Sequence, residues 1–227
     1  WAEKRENANT VPTLDQLFID VGAQDRVSCP VNVGDMAVFE GALTVQGDRW
    51  TSKAMDDRIG CAVLIETMRR IRREGIQLAH ALDCVFSVQE EVGVRGATTA
   101  SFALDPEIGL AVDITPTGDT PNSHPMAVSL GDGPAIKVKD SRMIAHPGLV
   151  EVLVEQARQN GIPYQREVLE MGSTDAHAMQ LSRSGVVAGT ISIPCRYAHS
   201  TSEMVDERDV QGAVQLLLAC LKDPLIF

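Results

Sequence analysis

The chain has 227 residues, of which 44% are hydrophobic and 22% are charged, a composition that supports a sizeable core and excludes global disorder. Its 20 basic and 31 acidic side chains give a formal net charge of −11, which argues against a protein that neutralises nucleic-acid phosphates. The sequence has no apolar stretch long enough for a bilayer span, no signal-peptide centre near its start and no cysteine spacing typical of a zinc site, so we expect reduced thiols and a cytoplasmic location.

Residues 1–52 differ in texture from the rest of the chain. Residues 17–22 predict a short strand closed by a glycine, residues 32–35 predict a turn, and apolar residues follow at 36–39. Short strands punctuated by Gly and Asp are typical of a small β-rich module. We therefore expect residues 1–52 to be the closing part of such a module.

From residue 53 onwards, predicted strands and helices alternate. Apolar residues at helical spacing predict helices over 57–73, 94–103, 147–160 and 207–222, and continuous apolar runs predict buried strands over 82–88, 108–112 and 186–193. Alternating elements with wholly apolar strands are typical of an α/β sheet that helices cover on both faces. Residues 53–227 are therefore predicted to form one α/β domain.

Acidic residues and one histidine lie at the predicted ends of these strands, where ligand sites form in open α/β sheets. They are Asp56 and Asp57 before the first helix, Glu90 and Glu91 after residues 82–88, Asp113 after residues 108–112, and His199 in a polar loop after residues 186–193. Each has an ordinary structural explanation by itself, since Asp caps helices and turns and Glu is favoured at helix N-termini. The case for a site rests on the whole series.

Several carboxylates that converged without a cation would repel one another and raise each other's pKa values. Carboxylate and imidazole ligands without thiolates suit zinc, cobalt or manganese. Two such ions about 3.5–4 Å apart would form a hydrolytic centre that activates water and polarises a carbonyl. The series therefore predicts a dinuclear metal site, and a metal-free glycosidase with two carboxylates is the weaker alternative.

Six segments, in order along nearly the whole chain, resemble the M42 family of metallo-aminopeptidases, which includes glutamyl and tetrahedral aminopeptidases. They read KAMDDRIGC, SVQEEVGVRGA, GLAVDITPTGDTP, GDGPAIKV, MGSTDAHAM and RYAHSTSEM. The resemblance implies a dinuclear zinc-peptidase-like catalytic domain over 53–227, with a mixed sheet covered by helices on both faces. Over 1–52 it implies the remnant of an inserted β-barrel dimerisation domain.

The same resemblance implies a metal site with named ligands. Asp56 would bridge two divalent ions per subunit, with Asp57 following across an unusual peptide geometry. Glu91 and His199 would ligate one ion, and Asp113 would ligate the other. Zinc or cobalt are the first candidates for the metal, and manganese is a further one.

The resemblance also implies the reaction and its partners. Glu90 would be the general base for the attacking water, and Thr174 and Asp175 would line the pocket for the free amino end of the substrate. The implied activity is removal of N-terminal residues from peptides, by an enzyme that forms dimers and tetrahedral dodecamers and has no nucleic-acid or membrane partner.

One ligand of the family is absent from this sequence. The family has a further His in an H-x-D motif upstream of the inserted domain, whereas all five histidines here follow Asp56. We therefore expect the sequence to represent part of a longer chain. Two alternatives stay open: an amidohydrolase, deacetylase or carboxypeptidase that uses the same metal core on small N-acyl substrates, and a catalytically inert fragment or assembly subunit.

Overall fold

A computed structural model describes residue 11 and residues 13–226, and the chain divides into two compact units between Phe39 and Glu40. The described part of the first unit contains one short 3-10 helix, Leu14–Gln16, and leaves apolar side chains such as Phe18 and Met36 exposed. The strand predicted over 17–22 is wrong, because the described residues offer it no partner strand. Residues 1–10 and 12 of the predicted β-rich module lie outside the described residues.

The second unit is built on a seven-stranded mixed sheet, which confirms the predicted α/β class. Its strands are β1 (Thr44–Gln46), β2 (Arg49–Ser52), β3 (Ile108–Pro116), β4 (Ala135–Lys139), β5 (Gln165–Val168), β6 (Val187–Arg196) and β7 (Glu203–Asp206). The order is β1-β2-β7-β6-β4-β5, and β3 pairs with β6 off this path. The β3–β6 and β4–β5 pairs are parallel, and the remaining pairs are antiparallel.

Five helices pack with this sheet, and four of them match the predicted helices within a few residues. They are α1 (Met55–Glu74), α2 (Arg95–Leu104), α3 (Pro147–Gln159), α4 (Asp175–Gln180) and α5 (Glu207–Lys222). Their apolar stripes supply a core with Val63 of α1, Leu153 of α3, Ile191 of β6 and Leu216 of α5, all at most 1% exposed. None of the helices in the described part of the chain is both long and apolar enough to cross a bilayer.

The run over 82–88 is not the buried strand that its apolar residues predict. The structure gives it no strand pairing, and Phe86 and Val88 are exposed. An apolar run indicates that burial of its side chains would be favourable. A β-strand also requires a neighbouring strand that pairs with its backbone N–H and C=O groups. None of the described strands pairs with residues 82–88.

The compact unit that contains the sheet begins at Glu40. It includes residues 49–52, which form β2 and pair with β7. The predicted boundary after residue 52, the barrel remnant and the covering of both sheet faces stay predictions.

Candidate metal centre

Strand pairing brings the segment around Asp56 close to the segment around His199. In the β2–β7 pair, Ser52 lies opposite Glu203, and α1 follows β2 directly. The loop over 197–202 joins β6 to β7, so that it approaches the same end of β2. Residues that are far apart in sequence therefore meet where β2 ends.

Three candidate ligands form a compact group at this point. The Nε2 atom of His199 lies 3.0 Å from Asp56 Oδ2 and 3.7 Å from Glu91 Oε2. One ligand atom from each of the three residues lies within 4.8 Å of the other two, and this is the one such group of three or more among the described residues. Two carboxylates and an imidazole at this spacing are a donor set that zinc, cobalt or manganese accepts.

The backbone around Asp56 has the unusual geometry that the resemblance implies. The peptide bond between Asp56 and Asp57 is cis, and both residues have non-helical φ and ψ at the start of α1. The carboxylate of Asp57 turns back to accept a hydrogen bond from the backbone N–H of Gly60, at 3.0 Å. A Cβ atom on Gly60 would lie 2.2 Å from Asp57 Oδ2, so a larger residue at this position would displace the Asp57 carboxylate.

A tight turn before α2 presents Glu90 and Glu91. The backbone N–H groups of Gly93 and Val94 donate to the carbonyl oxygen of Glu90, at 3.0 and 2.8 Å. A Cβ atom on Gly96 would lie 2.4 Å from the Val88 nitrogen. The glycines after the Glu pair therefore allow the close approach that closes this turn.

Asp113 lies inside β3 rather than after it, and it is not a member of the three-residue group. It pairs with Ser192 in the β3–β6 register, and its Oδ1 accepts a hydrogen bond from the Ile114 N–H at 2.7 Å. Burial raises the pKa of Asp113 well above its usual value, and the nearby carboxylates of Asp57 and Asp56 add to that increase. Asp113 is thus coupled electrostatically to the group without joining it.

Comparison with known proteins gives the family. The family model for M42 glutamyl aminopeptidase matches residues 1–216. The chain belongs to the M42 peptidase family. It is 45% identical to a putative aminopeptidase of Acetivibrio thermocellus over 97% of this chain and 66% of that protein, and 35% identical to the lysyl aminopeptidase of Pyrococcus furiosus over 92% and 60%.

Solved structures of related peptidases have the same fold. The TET aminopeptidase from a marine sediment Thaumarchaeota archaeon superposes with a TM-score of 0.92 at 32% identity, over 96% of this chain and 62% of that one. A Pyrococcus horikoshii TET1 peptidase, described as assembling into a tetrahedron or a large octahedral shell, gives a TM-score of 0.68 at 29% identity, over 82% and 54%. The M42 chain therefore spans about three fifths of the length of its relatives.

Burial and repulsion between neighbouring carboxylates raise the pKa values of three carboxyl groups at the candidate metal centre of this M42 chain. Burial raises the pKa of Asp56 to about 6, with a further contribution from Glu91, and it raises the pKa of Asp57 to about 8. The pKa of Glu90 is raised to about 7 by burial and then by Glu91. Divalent cations would remove this repulsion, so the electrostatics of the residues present fit a metal centre.

Thr174 and Asp175 lie at the start of α4, and their side chains make different contacts. Thr174 is buried, and its Oγ1 accepts from the Ala176 N–H at 3.3 Å and lies 3.1 Å from Thr190 Oγ1. Asp175 accepts a hydrogen bond from the Ser87 hydroxyl, and its charge raises the pKa values of Glu90 and Asp57. The Asp175 carboxylate therefore interacts with those of Glu90 and Asp57. The Thr174 side chain instead caps the N-terminus of α4, the helix that begins at Asp175.

The sequence by itself indicates no role for Glu203, although its carboxylate contacts the backbones of both Asp56 and His199. The available signal was a glutamate four residues after the candidate histidine, in the segment RYAHSTSEM. A sequence pattern does not show which backbone amides a side chain will reach, so this contact became visible only in the fold.

Proposed function

We propose that this chain forms the main part of the catalytic domain of a metal-dependent aminopeptidase, which hydrolyses N-terminal residues from peptides. The observation that carries the proposal is the group of Asp56, Glu91 and His199 at one end of the sheet, in a chain that belongs to the M42 family. These side chains, together with Asp113, would hold two divalent ions. Bound cations would supply Lewis-acid polarisation of the substrate carbonyl and a water of lowered pKa.

Glu90 is the general base in this proposal, the group that accepts a proton from the attacking water. It is half-buried beside Glu91, and its pKa of about 7 without a cation reflects burial and the neighbouring negative charge. A nearby cation would lower that pKa and favour the carboxylate, which then takes a proton from the attacking water and returns it to the leaving amine. Its neighbour Glu91 points to His199 instead, so the two glutamates divide ligation and proton transfer.

Asp175 is the group suited to the free amino end of the substrate. Its Oδ2 accepts from Ser87, while Oδ1 has no hydrogen-bond partner among the described residues although it is shielded from solvent. A substrate ammonium would supply the missing donor to that oxygen and balance its charge. Recognition of an unblocked N-terminus thus follows from a carboxylate that otherwise stays unsatisfied.

The direct test uses the full-length protein that contains this chain, after addition of zinc or cobalt. Hydrolysis of peptides with a free amino end, and not of the same peptides with an acetylated end, is expected. Glu90→Gln should bind metal as the wild type does and lose about 10²–10⁴-fold in kcat. Glu155→Gln is the matched control, since Glu155 is an exposed residue of α3 whose carboxylate accepts a hydrogen bond from the Gln159 side chain at 2.8 Å, away from the candidate site.

Three results would contradict the proposal. Turnover of only the acetylated peptides would indicate an amidohydrolase or deacetylase, and a Glu90→Gln enzyme with wild-type turnover would remove the base. Absence of bound metal in the wild-type protein, measured by elemental analysis, would leave an inert subunit.

We also propose that the protein associates with itself. A relative assembles into tetrahedral or octahedral shells, and the described residues of the first unit leave apolar side chains exposed, including Phe18, Val33 and Met36. Large apolar side chains exposed in this number are what a self-association interface would cover. Light scattering of the full-length protein should give a mass of at least a dimer, and a monomer at micromolar concentration would contradict this.

The five cysteines are free thiols, which supports a reducing, cytoplasmic location.

A further inference from the structure

Glu203 uses both of its carboxylate oxygens on the backbone of two candidate metal ligands. Its Oε1 accepts a hydrogen bond from the N–H of His199 at 2.8 Å, and its Oε2 accepts one from the N–H of Asp56 at 3.0 Å. The residue is buried, with 2% of its surface exposed. One rigid group therefore spans two segments that are 143 residues apart in sequence (199 − 56).

The sheet explains how Glu203 reaches both amides. It is the first residue of β7, and the antiparallel register with β2 sets it opposite Ser52, four residues before Asp56. On its other side, β7 pairs with the end of β6, so the six-residue loop 197–202 returns close to Glu203. The side chain thus stands between the chain that leaves β2 and the loop that enters β7.

Both contacted segments have a backbone that needs external support. His199 has φ of +62° and Tyr197 has φ of +60°, while Ala54, two residues before Asp56, has φ of +54°. A left-handed conformation is unfavourable for a residue other than glycine, so it persists where other interactions hold it. Charge-assisted hydrogen bonds to a buried carboxylate are among the stronger interactions available for this purpose.

We propose that Glu203 is a positioning residue of the metal centre, whose buried carboxylate fixes the spacing between Asp56 and His199 and thereby the geometry of the ligands. The proposal rests on the proposed metal-dependent function. Glu203 is buried and is not a member of the group of three candidate ligands, so its role is to position those ligands rather than to join them. Only a carboxylate can do this, since a glutamine of the same shape can accept at one amide and not at the other.

The test compares Glu203→Gln with a matched control at another buried carboxylate. Asp209 is 0% exposed and also accepts two backbone hydrogen bonds, from Gly131 at 2.7 Å and from Gly133 at 2.8 Å. Asp209→Asn therefore makes the same chemical change in a different clamp. In the full-length protein, chelator competition with zinc or cobalt should show about 10–100-fold weaker metal binding for Glu203→Gln, and a change below about threefold for Asp209→Asn.

A second readout does not depend on metal. In the metal-free protein, the amide hydrogens of Asp56 and His199 should exchange faster in Glu203→Gln than in the wild type, whereas those of Gly131 and Gly133 should not. Glu203→Asp provides a second variant that keeps the charge but is one methylene shorter, so it cannot reach both amides and should also weaken metal binding.

The outcomes separate this inference from the proposed function. A wild-type protein that binds no divalent metal would refute the proposed function, and the positioning role with it. Where the wild type binds metal, unchanged affinity in both Glu203 variants, or an equal loss in Asp209→Asn, would overturn the positioning role alone. Unfolding of both Glu203 variants under conditions in which Asp209→Asn stays folded would assign Glu203 to stability only and would also overturn it.

Discussion

The ion pair between Lys137 and Glu167 allows a stability prediction that can be worked from the contacts. Both side chains are completely buried, at 0% exposure, and they pair directly across the parallel β4–β5 register. The Thr115 hydroxyl donates to Glu167 Oε1 at 2.9 Å, while Glu167 Oε2 has no hydrogen-bond partner among the described residues. The Lys137 ammonium is therefore the main group that balances a carboxylate held away from water.

Lys137→Met keeps most of the apolar volume and removes only the charge. The carboxylate that remains is buried with one hydroxyl donor, and breaking a buried pair in this way costs about 3–5 kcal/mol. For a chain of this size, that loss corresponds to a fall of about 6–20 °C in melting temperature.

Urea unfolding at pH 7 measures this deficit, and the single variant Glu167→Leu together with the double variant Lys137→Met with Glu167→Leu completes a mutant cycle. Removing both charges should restore most of the lost stability, with a coupling energy of about 2–3 kcal/mol. A Lys137→Met deficit below about 1 kcal/mol would refute the reasoning, because a solvent-exposed ion pair has that behaviour.

Further predictions concern the site and the core. In the presence of chelator, the melting temperature should fall as pH rises from 5 to 8, because Glu90 with a pKa of about 7 and Asp57 with a pKa of about 8 bind more protons in the folded than in the unfolded chain; divalent cations should abolish this fall, and a stability that rose with pH in chelator would contradict it. Arg196 donates two hydrogen bonds to Asp119, at 2.9 and 2.8 Å, and holds the pKa of that carboxyl well below its usual range. Arg196→Met should therefore cost about 1–3 kcal/mol at pH 7 by urea unfolding, and the difference should shrink as pH falls below about 4. Leu153→Ala, at a side chain 1% exposed, should cost about 2–5 kcal/mol without changing the metal affinity of the folded protein, which calorimetry and metal titration would check.

The helices and the central strands could be read from local pattern. The predicted helix over 207–222 coincides with α5, and that over 147–160 with α3, because their apolar stripes and terminal residues are local features. The strand predicted over 108–112 was recognised by its apolar run but ended too early, so that Asp113 was placed after a strand that in fact continues to Pro116. Short strands such as β5 and β7 were not predicted at all, since four residues carry too little periodicity.

The sequence determines the residue types of the candidate site, their order along the chain and their family resemblance, and the fold brings Asp56, Glu91 and His199 together. The tertiary structure alone decided the rest: that Asp113 stays outside the three-residue group, that residues 82–88 pair with none of the described strands, and that Glu203 joins the backbones of two candidate ligands. The physical reason is the same in each case. Periodicity and residue type act through neighbours a few positions away, whereas strand pairing and buried hydrogen bonds depend on which distant segments of the chain the fold sets side by side.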